Sequence, residues 1–485
     1  MKESTVIYGP PGCGKSTEII SRMRADLDAG IPQNRIGLVS FTKAASQELA
    51  TRAGLGRRDN AATLHSFAFR LAGIIKEQVV DRAKLQELSR LTKIEITGAD
   101  VYNSDRLGNG DFYLATYSYM RAVLEPDPKV AYFNSNREGT LAEFEFFVRQ
   151  YQKWKDSHGY VDFEDMLVNA LRCDPPRLDS LYLDEAQDFS PSQWALIRHW
   201  IPDIDKVTLA LDDDQALYQF SGANPHGGIE FEQEFGSERL ILTQSHRVPS
   251  SVHTLASNLI ARVKNRVDKE YLPMDRQGTV KRYGSLTAVP PPAAQDDVLV
   301  LFRNHSLRSE VEEWLRDHAV PYITDNGRYG PLQRDSARAI RDWVTTIKDI
   351  KSAGHPLLND RGMQMLSRAL RPMYRKLFDN GQYDRLTNLR WDQAMNVPLD
   401  LIGYHKALEA RYGTPVPDTN IHLSTIHGAK GREADRVILL DAMGEKTSEQ
   451  AALNPDNEVR AFYVGVTRAI HTLHVVVGEN PMGVL

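Results

Sequence analysis

Three observations predict an α/β fold. Short apolar runs ending in polar residues recur along the 485-residue chain. Helical patterns lie between most of them. The run Val6–Tyr8 also leads straight into the glycine-rich stretch 9–17, which opens an apparent helix. In chain order the runs are Val6–Tyr8, Ile36–Phe41, Leu181–Leu183, Val207–Leu211 and Leu240–Thr243, then Val298–Phe302, Ile421–Thr425, Val437–Leu440 and Leu473–Val477. Near-continuous apolar runs suit parallel strands buried on both faces. They form two clusters, which predict two lobes divided near residue 239. The first lobe takes residues 1–69 and 177–238, with a helical insertion at 70–176. The second takes 239–349 and 419–485, with a reduced helical insertion at 350–418. Within the first insertion Leu141, Phe144, Val148 and Tyr151 recur at helical spacing, with Phe147 and Trp154 widening the apolar face, so this stripe is read as core. Pro290-Pro291-Pro292 reads as a stiff turn before the strand at 298.

Composition narrows the function classes. Lys plus Arg number 59 against 64 Asp plus Glu, a net charge of −5, so any nucleic-acid contact must come from a local basic groove. Two cysteines, Cys13 and Cys173, make neither a disulfide framework nor a metal site. Cys13 reads as a small residue that fits a tight loop. No apolar run approaches the ~18 residues that span a membrane. Only eight residues precede Gly9, which leaves no room for a signal peptide. A reducing, cytoplasmic setting is expected, with no membrane partner.

Gly9, Pro10, Pro11, Gly12, Cys13, Gly14, Lys15, Ser16 and Thr17 form a phosphate cradle. Glycines allow positive φ and close backbone approach, so successive N–H groups can face phosphate oxygens. The following helix N-terminus adds partial positive charge. Lys15 is expected to reach the β- and γ-phosphates of ATP, and Ser16 to ligate Mg²⁺. Asp184 and Glu185 end the apolar run Leu181–Leu183, at the kind of strand terminus where open α/β sheets bind ligands. Asp184 suits Mg²⁺ as the acidic partner of Ser16, and Glu185 suits activation of the attacking water.

The residues after Asp184 carry a family resemblance. Asp184-Glu-Ala-Gln-Asp188 resembles the acidic box of the UvrD/PcrA/Rep helicases of superfamily one. Other boxes follow the family order over nearly the whole chain. They are Val39–Ala45 with Glu48 and Arg52, Ala62–Phe67, Val161–Leu167, Asp212–Ala223, Leu242–Arg247, Leu301–Tyr322, Ser424–Glu433 and Arg460–Ala469. The resemblance implies two RecA-like P-loop lobes with ATP between them, single-stranded DNA lying across the top of both, and movement in the 3′→5′ direction. Carried over by position, it implies that Gln215 senses the γ-phosphate and that Arg247 and Arg468 reach it from the second lobe. Glu433 contacts the ribose, His246 occupies the base-stacking position, and Asp188 links hydrolysis to the coupling segment. A strand track without sequence preference needs aromatic and polar groups. The matched boxes supply Phe41, Thr42, Thr63, His65, Tyr218 and Phe220 on the first lobe and His427 on the second.

The chain also departs from the pattern. The upstream glutamine segment that reads adenine has no counterpart before Gly9, and His246 stands where the family has tyrosine, so loose base discrimination is expected. Ser221 replaces an arginine, and Arg432 replaces a leucine. The short second insertion suggests a compact motor, of a kind carried by phages or mobile elements. Two readings follow: an ATP-dependent 3′→5′ DNA helicase acting at single-strand/duplex junctions, or a translocase that displaces proteins with little unwinding. A P-loop switch or kinase fits the arginine boxes poorly. A monomer is expected in isolation, and any loading partner is left open.

Overall fold

The computed structural model describes residues 3–55, 60–99, 101, 107–135 and 139–484. Packing divides the chain into two compact units, Met1–Gly278 with Lys446–Thr467, and Thr279–Glu445 with Arg468–Leu485.

The first unit is built on β1 (Glu3–Tyr8), β2 (Ile36–Val39), β3 (Ala61–Ala62), β4 (Ser180–Leu183), β5 (Lys206–Leu211) and β6 (Glu238–Ile241). They form one parallel sheet in the order β3-β2-β4-β5-β1-β6. Alternate side chains explain why the central runs are apolar throughout. Ile7, Leu38, Tyr182 and Ala210 pack under Ile19, Ile20 and Met23 of the helix Lys15–Asp28. Val6, Tyr8, Leu183, Leu209 and Leu211 face Trp194, Ile197 and Trp200. Each fully buried aliphatic of this kind contributes roughly 1.5–3 kcal/mol. β6 is an edge strand and largely exposed. The run expected at 240–243 therefore starts two residues earlier and ends at Ile241. β2 stops at Val39, so Phe41 lies beyond the strand rather than in it.

The division expected at 239 is corrected to 278. β7 (Gln244–Pro249) pairs with β8 (Leu272–Met274) in a separate two-stranded sheet, and the helix Ser250–Ile260 follows β7. The His246 N–H donates to the Gly12 carbonyl at 2.9 Å, which ties this segment to the phosphate loop. The helix Pro455–Val466 packs on Ser250–Ile260 and so returns to the first unit.

Between residues 70 and 176 the described residues form the helices Arg82–Thr92, Asn109–Ala122, Pro128–Asn134, Leu141–His158 and Phe163–Ala170. Leu141–His158 starts at a capping box, Thr140 with Glu143, and stops at Gly159 with φ +66°. Phe144, Phe147, Tyr151 and Trp154 of the stripe are buried with Tyr113, Tyr117 and Tyr132.

The second unit has β9 (Thr279–Tyr283), β10 (Val298–Phe302), β11 (Ile323–Thr324), β12 (Ile421–Thr425), β13 (Ala434–Asp441) and β14 (Ala469–Val477). Their order is β11-β12-β10-β13-β14-β9, again parallel. The helical segment between β11 and β12 begins at Arg334, not 350, because Arg334–Ala353 buries Ala337, Ile340, Trp343 and Ile350 along one face. Its aromatic and aliphatic residues share one core with the sheet, so the insertion is a thickening of this unit. No helix among the described residues is long and apolar enough to cross a membrane.

Candidate nucleotide site and single-strand track

All six strands of the first sheet are parallel, so their C-terminal ends meet at one edge. The phosphate loop follows β1, Phe41 follows β2, Thr63 follows β3, Asp184 follows β4, Asp212 follows β5 and Thr243 follows β6.

Gly12 (φ +79°) and Gly14 (φ +84°) adopt the left-handed backbone that turns the loop into the helix Lys15–Asp28. The Lys15 ammonium folds back to donate to the Gly9 carbonyl at 2.5 Å. A Cβ on Gly9 would lie 2.9 Å from Lys15 Cγ, so glycine there leaves room for the lysine stem. Pro10 accepts from the Cys13 N–H at 3.3 Å. Pro11 accepts from Ser245 Oγ at 2.9 Å and from Tyr271 Oη at 3.2 Å. Burial pushes the Cys13 thiol up to about 12 against the pull of Lys15, and the thiol donates to the Thr243 carbonyl. It is a packed small residue, not a nucleophile. Thr17 is exposed on the first turn of the helix.

Ser16 Oγ donates to Asp184 Oδ2 at 3.4 Å, and the other carboxylate oxygen, Oδ1, is buried with no hydrogen-bond partner. Burial, followed by the charge of Glu185, pushes Asp184 up to about 7. Such a carboxylate calls for a cation, so the residues fit Mg²⁺. Glu185 itself sits at φ +55°, strained for a non-glycine residue. A relay leads from it. Gln187 Nε2 donates to Glu185 Oε2 at 2.5 Å, the Asp212 N–H donates to Gln187 Oε1 at 3.1 Å, and Gln215 Nε2 donates to Asp212 Oδ2 at 2.7 Å. Asp188 Oδ1 accepts from the Leu217 N–H at 3.4 Å, fixing the same loop two residues later.

Arg247 was expected on the second unit; it lies on the first, because β7 packs against the phosphate loop. A Cβ on Gly12 would stand 2.6 Å from Arg247 Cβ. The His246 side chain is exposed beside a cavity of about 520 Å³ that Gln244, Ser250, Pro273, Met274 and Asp275 also line.

The residues expected on a strand track on the first unit divide into two kinds. Thr42 and Thr63 cap helices: their hydroxyls accept from the Ala45 and Ser66 N–H groups. This local role accounts for both threonines, and the Thr63 hydroxyl also shares a hydrogen bond of 2.9 Å with Ser66 Oγ. The aromatics form a surface. Phe41 and Tyr218 stack with centroids 4.4 Å apart, and Phe220 lies 6.1 Å from Tyr218. His65 meets Phe163 edge-on at 5.5 Å. Burial holds the His65 imidazole down at about 4, and its Nε2 is buried without a partner. Phe163 is 61% exposed. It lies inside the segment 161–167, and only the fold brings it against His65. Gln187 likewise lies within the acidic box, where only the fold shows what its side chain meets.

Three expected residues lie on the second unit. His427 follows β12, and its carbonyl accepts from the Lys430 N–H at 3.3 Å. Glu433 is exposed just before β13. Arg468, 1% exposed, begins β14's approach and donates to the Arg432 carbonyl at 3.3 Å. Arg432 pairs with Asp325 at 3.4 Å, and Ser221, on the first unit, hydrogen-bonds the Tyr218 carbonyl.

Two family models match the chain. Residues 1–236 match the UvrD/REP helicase N-terminal domain, and residues 383–480 the UvrD-like helicase C-terminal domain. The ATP-dependent DNA helicase UvrD2 of Mycobacterium tuberculosis (strain ATCC 25618 / H37Rv) is 24% identical over 94% of this chain and 74% of its own length. DNA helicase II of Escherichia coli (strain K12) is 33% identical over 41% of this chain and 31% of its own length. The Haemophilus influenzae DNA helicase II is 26% identical over 42% of this chain and 31% of its own. The first match spans β1 to β5 and the second spans β12 to β14, and the chain belongs to the UvrD/Rep-like helicases of superfamily one.

Proposed function

We propose that this chain is an ATP-dependent 3′→5′ DNA helicase that moves along single-stranded DNA and opens duplex at junctions. One observation carries the reading: the relay Glu185–Gln187–Asp212–Gln215 ends three residues before Tyr218, whose ring stacks on Phe41. Chemistry at one end of a buried hydrogen-bonded loop can therefore alter an aromatic surface at the other.

In this reading Lys15 and the loop N–H groups hold the β- and γ-phosphates. Glu185 orients and deprotonates the attacking water, and Gln215 answers to the γ-phosphate. Ser16 and Asp184 would hold Mg²⁺, which neutralises phosphate charge when bound. Arg247 and Arg468 are assigned to the transition-state charge, Glu433 to the ribose and His246 to the base. Phe41, Tyr218, Phe220, His65 and the newly found Phe163 offer stacking faces to bases, with Thr42, Thr63 and His427 beside the backbone.

The test is ATP turnover measured in parallel without nucleic acid and with single-stranded DNA, single-stranded RNA and duplex. Stimulation by single-stranded DNA is expected; turnover indifferent to every nucleic acid defeats the proposal. Forked duplexes with a 3′ or 5′ tail then read direction. Displacement of streptavidin from a biotinylated strand without strand separation would favour a translocase with little unwinding.

A further inference from the structure

Lys269 lies outside every matched sequence box, yet it is completely buried against the loop that carries Gln215. Its ammonium lies 3.2 Å from Asp212, 2.5 Å from Asp213 and 2.8 Å from Asp214. These three carboxylates are close enough together to ligate a metal ion, and the ammonium supplies the cation they need. Burial pulls the lysine's pKa down, but the three carboxylates outweigh it and the net shift is upward, so the charge persists.

The three aspartates are not equivalent. Asp214 is clamped by Arg266 through bonds of 2.8 and 2.5 Å. Asp213 accepts from the Val267 N–H at 2.7 Å, and its carbonyl accepts from Arg460 Nε at 3.0 Å. Among the described residues Asp212 has no such second cation. Its Oδ1 meets Lys269 and, at 3.3 Å, the Asp214 N–H, while Oδ2 holds Gln215 Nε2. One carboxylate oxygen is thus spent on Lys269 so that the other faces Gln215. Buried ion pairs contribute little net stability compared with apolar packing, so a buried lysine among three acids suggests a geometric role.

We propose that Lys269 is a positioning residue: its ammonium sets the orientation of the Asp212 carboxylate, and through it holds Gln215 and the Tyr218 loop in register with Glu185. This rests on the single-strand-stimulated ATPase proposed above. The side chain is fully buried among Asp212, Asp213 and Asp214. It acts on coupling, the ratio between turnover with and without the strand, rather than on the binding of either.

The experiment uses the full chain, with oligothymidylate as the strand. Lys269→Met removes the charge but leaves three acids uncompensated, so the deciding variant is Lys269→Met/Asp213→Asn, which removes one charge of each sign. ATP turnover with and without strand, KM for ATP, strand affinity by fluorescence polarisation and melting temperature are measured for each protein. In the double variant, melting is expected to return close to that of the wild type while strand stimulation stays about tenfold or more below it. KM and strand affinity should move by no more than about threefold. Lys269→Arg, which keeps the charge but displaces it, should recover only part of the stimulation. A double variant that regains wild-type stimulation along with its melting temperature overturns the proposal. So does a double variant that does not fold, since Lys269 would then be a requirement of the core. A wild type without strand stimulation instead refutes the proposed function, which is a separate result.

Discussion

Replacing Gly12 by alanine tests how the phosphate loop is braced. At φ +79° an alanine costs about 1–2 kcal/mol of backbone strain. Its Cβ would also lie 2.6 Å from Arg247 Cβ, 2.7 Å from Ser245 Oγ and 3.2 Å from the Arg247 amide nitrogen. None of these atoms is the free end of a flexible side chain. Ser245 Oγ is held by the Pro11 carbonyl at 2.9 Å, and the neighbouring His246 N–H by Gly12 itself. β7 must therefore shift, which adds an overpacking cost of about 1–3 kcal/mol. Gly14 is the internal control. Its φ is +84°, but a Cβ there meets nothing within 4 Å, so without nucleotide it should cost only the backbone strain. The expected result is that Gly12→Ala destabilises the first unit by roughly 1–3 kcal/mol more than Gly14→Ala. Urea unfolding without nucleotide, followed by tryptophan fluorescence, gives the difference. Hydrogen exchange on β1 assigns the transition to the first unit, which holds Trp154, Trp194 and Trp200. Equal losses in the two variants would refute the packing of Arg247 against the loop.

Other perturbations address separate parts of the machinery. Glu185→Gln should lower turnover by about 10²–10⁴-fold while ATP binding, measured by equilibrium titration, changes little; a loss below about tenfold removes Glu185 as the base. Tyr218→Ala and Phe41→Ala should each weaken oligothymidylate binding by about 1–3 kcal/mol in a polarisation assay, and unchanged affinity would return the pair to a packing role. His65 makes stability pH-dependent. Its folded form refuses a proton that the unfolded chain accepts below about 6.5, so its contribution is intact above that pH and is lost as pH falls towards about 4. The stability advantage of wild type over His65→Gln should therefore shrink on acidification, by on the order of 2 kcal/mol. A pH-independent difference between the two proteins contradicts the buried neutral imidazole.

Much of the fold was legible because its signals are short-range. The runs at 298–302 and 421–425 are strands at those bounds, and the stripe from Phe144 to Trp154 is buried as its spacing implied. Strands shorter than three residues, β3 and β11, and the exposed β9 carry too few apolar residues to register. In the site, the phosphate loop and the carboxylates after β4 were readable from chemistry alone. Gln187 and Phe163 lay within recognised segments, but their roles depend on what stands opposite them: Glu185 and Asp212 for one, His65 for the other.

The sequence by itself determined the alternation of strand and helix, the glycines of the cradle and the acidic pair, because each depends on residues within a turn or a strand of one another. Tertiary structure alone decided that 239–278 and 446–467 join the first unit, that Arg247 braces Gly12, and that Lys269 neutralises a loop more than fifty residues earlier. These are partnerships of buried charge and steric fit between distant segments. A lone lysine or arginine in a sequence carries no mark of the carboxylate or glycine it will meet, so only the folded chain reveals the pairing.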